Sequence, residues 1–231
     1  MKVVLFDIDG TILWTDGAGR RAVSRALEEH FGETGPGAHE FDGKTDRQIV
    51  RELMRHAGVA DATIDERLDA VLDRYVELLR GELGGGIATG HLFPGVIDLL
   101  DALGARDDVL LGLLTGNVSA GADVKLGAVG VARERFLVGA FGSDHEERPS
   151  LPAIARERAE AHLGYAVAGH DVVVIGDTPA DMRCGTGIGA RAIGVATGRY
   201  SVAELHACAA AAVFADLSDT DAVMRAILGE P

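Results

Sequence analysis

At 231 residues, with 47% hydrophobic and 25% charged side chains, the chain has the profile of an ordinary soluble globular protein, long enough for one sizeable core or a core with a smaller companion domain. Its 36 acidic and 22 basic residues give a formal charge of −14, which disfavours non-specific binding to nucleic acid or to an anionic membrane. An anionic substrate would need local positive charge or a metal, because the overall field repels it.

In chain order, the first predicted element is a strand, "KVVLFDI" (2–8). Three helical patterns follow: 17–31 with Val23, Leu27 and Phe31 in register, 46–57 with Ile49 and Leu53, and 63–83 with Leu68, Leu72 and Leu79. "GGG" (84–86) closes this block and "FPG" (93–95) opens a second regime. There, helices at 95–104, 118–129, 150–163, 179–186, 201–209 and 219–228 alternate with the apolar runs "VLLGLLT" (109–115), "DVVVIGD" (171–177) and "ARAIGVAT" (190–197), and with weaker strand candidates at 136–142 and 211–215. The alanine run 209–212 reads as a helix end leading into the last strand. Near-continuous Val/Ile/Leu runs suit a parallel sheet covered on both faces. Strands alternating with helices predict an α/β, doubly wound, Rossmann-like sheet whose ligands bind beyond the carboxyl ends of the strands. The helices after the first strand read as an inserted cap, giving a core of 1–14 and 89–231 and a cap of 15–88.

Cys184 and Cys208 form neither a disulfide framework nor a CxxC pair, the N-terminus enters a strand with no signal-peptide pattern, and no apolar stretch is long enough to span a bilayer. A cytoplasmic protein is expected.

The first strand ends in two aspartates, Asp7 and Asp9. Residues i and i+2 share a strand face, so the two carboxylates should lie close together. At about 4 Å and an effective dielectric of about 20, they would repel by about 4 kcal/mol. Either a cation offsets this or one carboxylate stays protonated. Thr115, followed by Gly116, Asn117 and a helix, ends a second strand; a hydroxyl beside a helix N-terminus is a natural phosphate cradle. Asp177 ends a third, with Asp181 four residues on. Taken singly, these residues admit duller readings: a turn at Asp9-Gly10, helix capping by Thr115 or Asn117, an N-cap at Asp177 and a first-turn acid at Asp181. It is their occurrence together at the ends of core strands that points to chemistry.

"DIDGT" (7–11), "LLTGN" (113–117) and "VVVIGDTPADM" (173–182), in this order and over nearly the whole chain, resemble the haloacid dehalogenase-like hydrolase superfamily, and within it the phosphatases with a helical cap after the first strand, such as phosphoglycolate phosphatase. The resemblance implies a Mg²⁺-dependent phosphatase for a small phosphorylated metabolite. Asp7 would be the nucleophile, and Asp9 the acid that protonates the leaving oxygen and then the base that activates water. Asp7, the backbone carbonyl of Asp9 and Asp177 would bind Mg²⁺, with Asp181 supporting them. Thr115 would hydrogen-bond the transferring phosphoryl group, alongside Gly10, Thr11, Gly116 and Asn117. The chemistry is coherent: phosphomonoester hydrolysis needs accelerations of up to ~10²¹, a carboxylate nucleophile splits it into two steps, and oxygen ligands suit Mg²⁺.

The family usually places a Lys, often in "KP", between these motifs; here Arg148-Pro149 stands there. With Lys2, Lys44 and Lys125 the only lysines, Arg in that role is believable, since a guanidinium binds phosphate well. The rival, Lys125, sits about two turns along its helix, which should place it too far away. "FDGKTD" (41–46) resembles the substrate-contacting loop of such caps, with Lys44 over the substrate and a helix starting at Thr45 or Asp46. A phosphomutase of similar fold and a non-catalytic binding or regulatory protein are the alternatives. No HxxH or HExxH spacing and no G-x-S-x-G appears, and "GTGIGA" (185–190) precedes a strand, so it fails as a dinucleotide loop.

Overall fold

A computed structural model describes residues 1–85 and 90–230. The elements are β1 (Lys2–Phe6), β2 (Leu13–Trp14), α1 (Ala18–Phe31), α2 (Asp46–His56), α3 (Asp61–Gly84), β3 (His91–Leu92), α4 (Val96–Gly104), β4 (Val109–Leu114), α5 (Ser119–Ala128), β5 (Val138–Ala140), α6 (Leu151–Leu163), β6 (Val172–Gly176), α7 (Pro179–Cys184), β7 (Arg191–Val195), α8 (Val202–His206), β8 (Ala212–Phe214) and α9 (Thr220–Leu228). The expected cap boundary at 88–89, and the end of "GGG", lie outside the described residues.

Six strands form one parallel sheet in the order β5-β4-β1-β6-β7-β8. Alternation along β1 feeds both faces. Val4 and Phe6 enter a cluster with Leu99 and Leu103 of α4, Leu126 of α5 and Ile227 of α9, while Val3 and Leu5 enter another with Leu151 and Ala155 of α6. At about 1.5–3 kcal/mol for each large apolar side chain fully buried, these two layers fix the sheet. From β1 the chain builds outward through β4 and β5, then returns to the other side of β1 with β6. That reversal opens a crevice beyond the carboxyl ends of β1, β4 and β6, the strands that end at Asp7, Thr115 and Asp177.

Helices α1, α2 and α3 share a hydrophobic cluster of their own, with Val23, Leu27, Ile49, Leu53, Leu68, Leu72 and Leu79 buried as their spacing predicts. Val118, just ahead of α5, joins it. Gly32 ends α1 at φ 74°, a left-handed turn that glycine adopts without steric cost. The two-residue antiparallel pair β2–β3 ties the root of this helical block together, a pairing too short to be read from periodicity.

One expectation is corrected. The alanine run 209–212 is not a helix end: α8 stops at His206, Ala209 turns at φ 60°, and Ala212 already starts β8. The tight return places Ala211 N–H on the Ala192 carbonyl (2.8 Å), so alanine's helix propensity yields to sheet closure. Among the described residues, no helix is long and apolar enough to cross a membrane.

Candidate active site

Asp7 continues β1 by one residue, its N–H donating to the Ile175 carbonyl (2.9 Å), which sets its side chain at the mouth of the crevice. The next turn is forced by Gly10 at φ 80°, where a Cβ would run into the Asp177 carboxylate. The chain then folds back, with Thr11 and Ile12 N–H both on the Ile8 carbonyl. This turn corrects the place expected for Thr11. Its side chain is fully buried and donates to Asp177 Oδ1 (3.3 Å), so it braces that carboxylate and is not among the residues lining the cavity.

Each of the two aspartates of the opening motif has a cation of its own. Arg148 Nη2 lies 3.3 Å from Asp7 Oδ2, while Lys125 Nζ reaches both oxygens of Asp9 (2.8 and 2.7 Å), with Asn117 Nδ2 donating to Oδ2 (2.7 Å). Lys125 is therefore not too far away. A helical side chain leans toward the N-terminus of its helix, and the four-carbon stem of lysine spans the remaining distance, so two turns of α5 are bridged.

Of the two rivals, Arg148 is the one that faces Asp7, while Lys125 serves Asp9. Arg148, 4% exposed, bonds Asp181 and the Leu114 carbonyl (3.4 Å) through the same nitrogen that faces Asp7. Its Nε is buried without a partner among the described residues.

Three buried carboxylates, Asp7, Asp177 and Asp181, present oxygens that all lie within 4.8 Å of one another. Burial pushes the Asp7 carboxyl up to about 6, against the pull of Arg148 and with the charges of Asp181 and Asp9 adding to the rise. Burial, then Asp181 and Asp7, hold Asp177 well above the usual carboxylate range. Asp181 is fully engaged: Oδ1 takes Arg148, and Oδ2 takes the Thr178 N–H (3.0 Å) and hydroxyl (2.6 Å) in a capping box at the start of α7. It is suited to holding neighbours in place. Asp7 and Asp177 remain as oxygens that could hold a divalent cation, and no hydrogen bond among the described residues occupies the carbonyl oxygen of Asp9. A hard cation with oxygen ligands fits this donor set.

Thr115 is fully buried, and its hydroxyl accepts from Asn117 N–H (3.3 Å) and Nδ2 (2.8 Å). Neither residue caps α5. The Val118 N–H there is taken by Asp46 of α2 (2.8 Å), whose own N–H donates to the Gly116 carbonyl (2.8 Å). Burial raises the Asp46 carboxyl to about 6, with Lys125 as the main opposing influence.

Sequence reasoning placed Lys125 too far from the site, and it assigned Asp46 only to a helix start. An acid in the first turn of a helix reads as a dipole partner, and only the fold shows it serving a second helix. A cue for Lys125 was its rarity in an arginine-dominated chain. Gly116 is required here: a Cβ would collide with the Lys44 carbonyl, which cannot rotate away as a side chain would. Gly116→Ala is expected to cost about 1–3 kcal/mol by overpacking, read as a lower urea midpoint at unchanged slope.

A cavity of about 500 Å³ is lined by Asp7, Asp9, Gly10, Thr115, Gly116, Asn117, Arg148 and Asp177. Trp14, Arg20, Phe41, Lys44 and Tyr75 also line it. Lys44 is in the wall, but its Nζ is 2.6 Å from Glu52 and 3.3 Å from His39 Nε2, so its charge is already paired. Arg20 stacks 3.7 Å over the Phe41 ring and donates to the His39 carbonyl (2.8 Å), with no carboxylate partner among the described residues.

The family model for haloacid dehalogenase-like hydrolases matches residues 1–189. The chain belongs to that family. Among solved structures, a hydrolase from Pseudomonas syringae aligns at TM-score 0.74 and 20% identity over 98% of this chain and 99% of its own. CbbY from Rhodobacter sphaeroides in complex with phosphate aligns at 0.72 and 21% over 95% and 96%. A predicted phosphoglycolate phosphatase from Haemophilus somnus 129PT aligns at 0.70 and 18% over 97% and 98%. At these identities the likeness is one of fold. No curated protein matches the chain. As a member of this family the chain is a hydrolase, and the crevice its family fold opens is the one occupied by Asp7, Thr115 and Asp177.

Proposed function

We propose that this hydrolase is a Mg²⁺-dependent phosphatase for a small phosphomonoester, acting through an aspartyl-phosphate on Asp7. The observation that carries the reading is the setting of Asp7: a buried carboxylate, faced by Arg148, that lines a cavity together with Thr115 and Asn117. Asp7, Asp177 and the Asp9 carbonyl are the groups to hold Mg²⁺, which when bound would neutralise phosphoryl charge. Asp7 attacks phosphorus, while Asp9 delivers a proton to the leaving oxygen and then takes one from water. Thr115, Gly10, Gly116 and Asn117 cradle the phosphoryl oxygens, and Asp181 keeps Arg148 aimed at Asp7. Residues 15–88 serve as the cap on a core of 1–14 and 89–231, excluding bulk water while the first step proceeds.

The size of the cavity suits a metabolite-sized leaving group. CbbY was crystallised with phosphate, and a mutant of it with xylulose-(1,5)bisphosphate, so a protein of this fold takes phosphorylated ligands. The convergence of Asp7, Asp9, Thr115 and Asp177 argues against a non-catalytic role.

The test is hydrolysis of an aryl phosphate with Mg²⁺, reading free phosphate, followed by a panel of phosphorylated metabolites. Turnover should stop with EDTA and return with Mg²⁺; no turnover on any substrate would overturn the reading, and an isomerised sugar phosphate without free phosphate would favour a mutase. Metal binding should also depend on pH in a set direction. The Asp7 carboxyl is raised to about 6, so the preference of the folded chain for its protonated form contributes stability that is fully present below the unfolded value near 4 and is lost as pH rises through about 6. Above that pH the ionised Asp7 gains most from a cation. The rise in melting temperature caused by Mg²⁺ should be larger at pH 7.5 than at pH 5; equal rises would contradict it.

A further inference from the structure

Lys125 is buried (5% exposed), lines the cavity and places one ammonium against both oxygens of Asp9. Its other surroundings are set by the helical block. A Cβ added at Gly19 of α1 would lie 3.5 Å from Lys125 Nζ and 3.8 Å from the Tyr75 hydroxyl of α3, and Lys125 stabilises the charge of Asp46 in α2. The ammonium therefore stands between Asp9 and helices α1 and α3. Arg148, by contrast, serves Asp7 and Asp181. Two cations for two aspartates, from different elements, make the carboxylates separately tunable.

We propose that Lys125 is a positioning residue for Asp9: with Asn117 it fixes the carboxyl beside the leaving-group oxygen and balances the charge left on Asp9 once the proton has gone. The inference rests on the phosphatase reading above. In the first step a bond forms between an Asp7 oxygen and phosphorus, the bond from phosphorus to the leaving oxygen breaks with its electron pair going to that oxygen, and the Asp9 proton joins it. The negative charge gained by Asp9 then falls between the Lys125 ammonium and the Asn117 amide, donors already in place within 2.8 Å. A leaving group that departs readily as an anion needs little of this help; an alkoxide needs nearly all of it.

The experiment compares kcat/KM, which reports the chemistry up to leaving-group release, for p-nitrophenyl phosphate and a primary alkyl phosphate in the Mg²⁺-loaded enzyme and in Lys125→Met. General acid catalysis is typically worth 10²–10⁴-fold, so the variant should lose roughly 10²-fold on the alkyl phosphate and at least tenfold less on the aryl phosphate. Lys125→Gln, which keeps a hydrogen-bond donor, carries the same comparison should Lys125→Met fail to fold. Equal losses on both substrates would assign Lys125 to binding or structure and overturn the proposal, as would no loss on either. Asp9→Asn is the control: it must show the same selective loss. Wild-type inactivity toward both phosphates removes the phosphatase reading and this inference together, whereas a selective loss in Asp9→Asn without one in Lys125→Met removes the inference alone.

Discussion

Asp7→Asn is expected to lower phosphomonoester turnover by about four orders of magnitude or more, and at the same time to raise the melting temperature of the metal-free protein at pH 7.5. The first effect follows from removing the attacking group: an amide oxygen of the same shape forms no acyl phosphate, and residues that act as a catalytic unit lose nearly everything when one is deleted. The second follows from what holds the Asp7 carboxyl near 6. Burial is the leading cause, and it outweighs the attraction of Arg148. Raising the carboxyl from near 4 to about 6 corresponds to about 3 kcal/mol at most, and relaxation around Asn and loss of the Arg148 contact reduce it to roughly 1–2 kcal/mol. For a chain of this length that is several degrees. Thermal melts in EDTA alongside an aryl phosphate assay read both. A drop in melting temperature at pH 7.5 would mean that the Arg148–Asp7 attraction exceeds the burial cost. Residual turnover near wild type would remove Asp7 from the chemistry.

The parts of this architecture that could be read directly are those in which a residue's role depends on its own strand. The apolar runs leading to Asp7, Thr115 and Asp177 are long enough to fix both strand and polarity, and a parallel sheet has only one end at which such residues can meet. Helical spacing likewise identified the buried faces of α1, α2 and α3. What escaped were roles decided across elements. Lys125 and Asp9 are 116 residues apart, and their meeting depends on how far α5 leans over β1. Asp46 caps a helix 72 residues away, a service indistinguishable in one dimension from an ordinary first-turn acid. Thr11, named with the phosphoryl-binding residues by resemblance, instead braces Asp177, because a left-handed glycine reverses the chain just before it. The β2–β3 pair is two residues long and carries no period at all.

Arg148→Ala is expected to be the most destabilising single change in the site. The guanidinium is 4% exposed, and although burial works against its charge, Asp181 and Asp7 hold it firmly protonated. Removing one partner of a buried ion pair leaves the other charge without compensation, typically at 3–5 kcal/mol, and here two carboxylates are left at once. For a protein of this size the melting temperature should fall by roughly 10 °C or more, with turnover reduced by about 10²–10³-fold in whatever fraction stays folded. Arg148→Lys separates charge from reach. Asp7, Asp181 and the Leu114 carbonyl are all addressed by the single atom Nη2, so the guanidinium acts here as an ammonium would, at one point. A lysine, the residue that the family usually carries at this place, restores the point charge but is one bond shorter, leaving its nitrogen about 1 Å short of where Nη2 stands. Arg148→Lys should therefore recover most of the lost stability in a denaturant melt while keeping only part of the activity. Full recovery of both would show that the neighbouring backbone closes the gap. Wild-type turnover in Arg148→Ala would instead place the cation facing Asp7 elsewhere, and Lys125, already committed to Asp9 at 2.7 Å, would have to change partner to supply it.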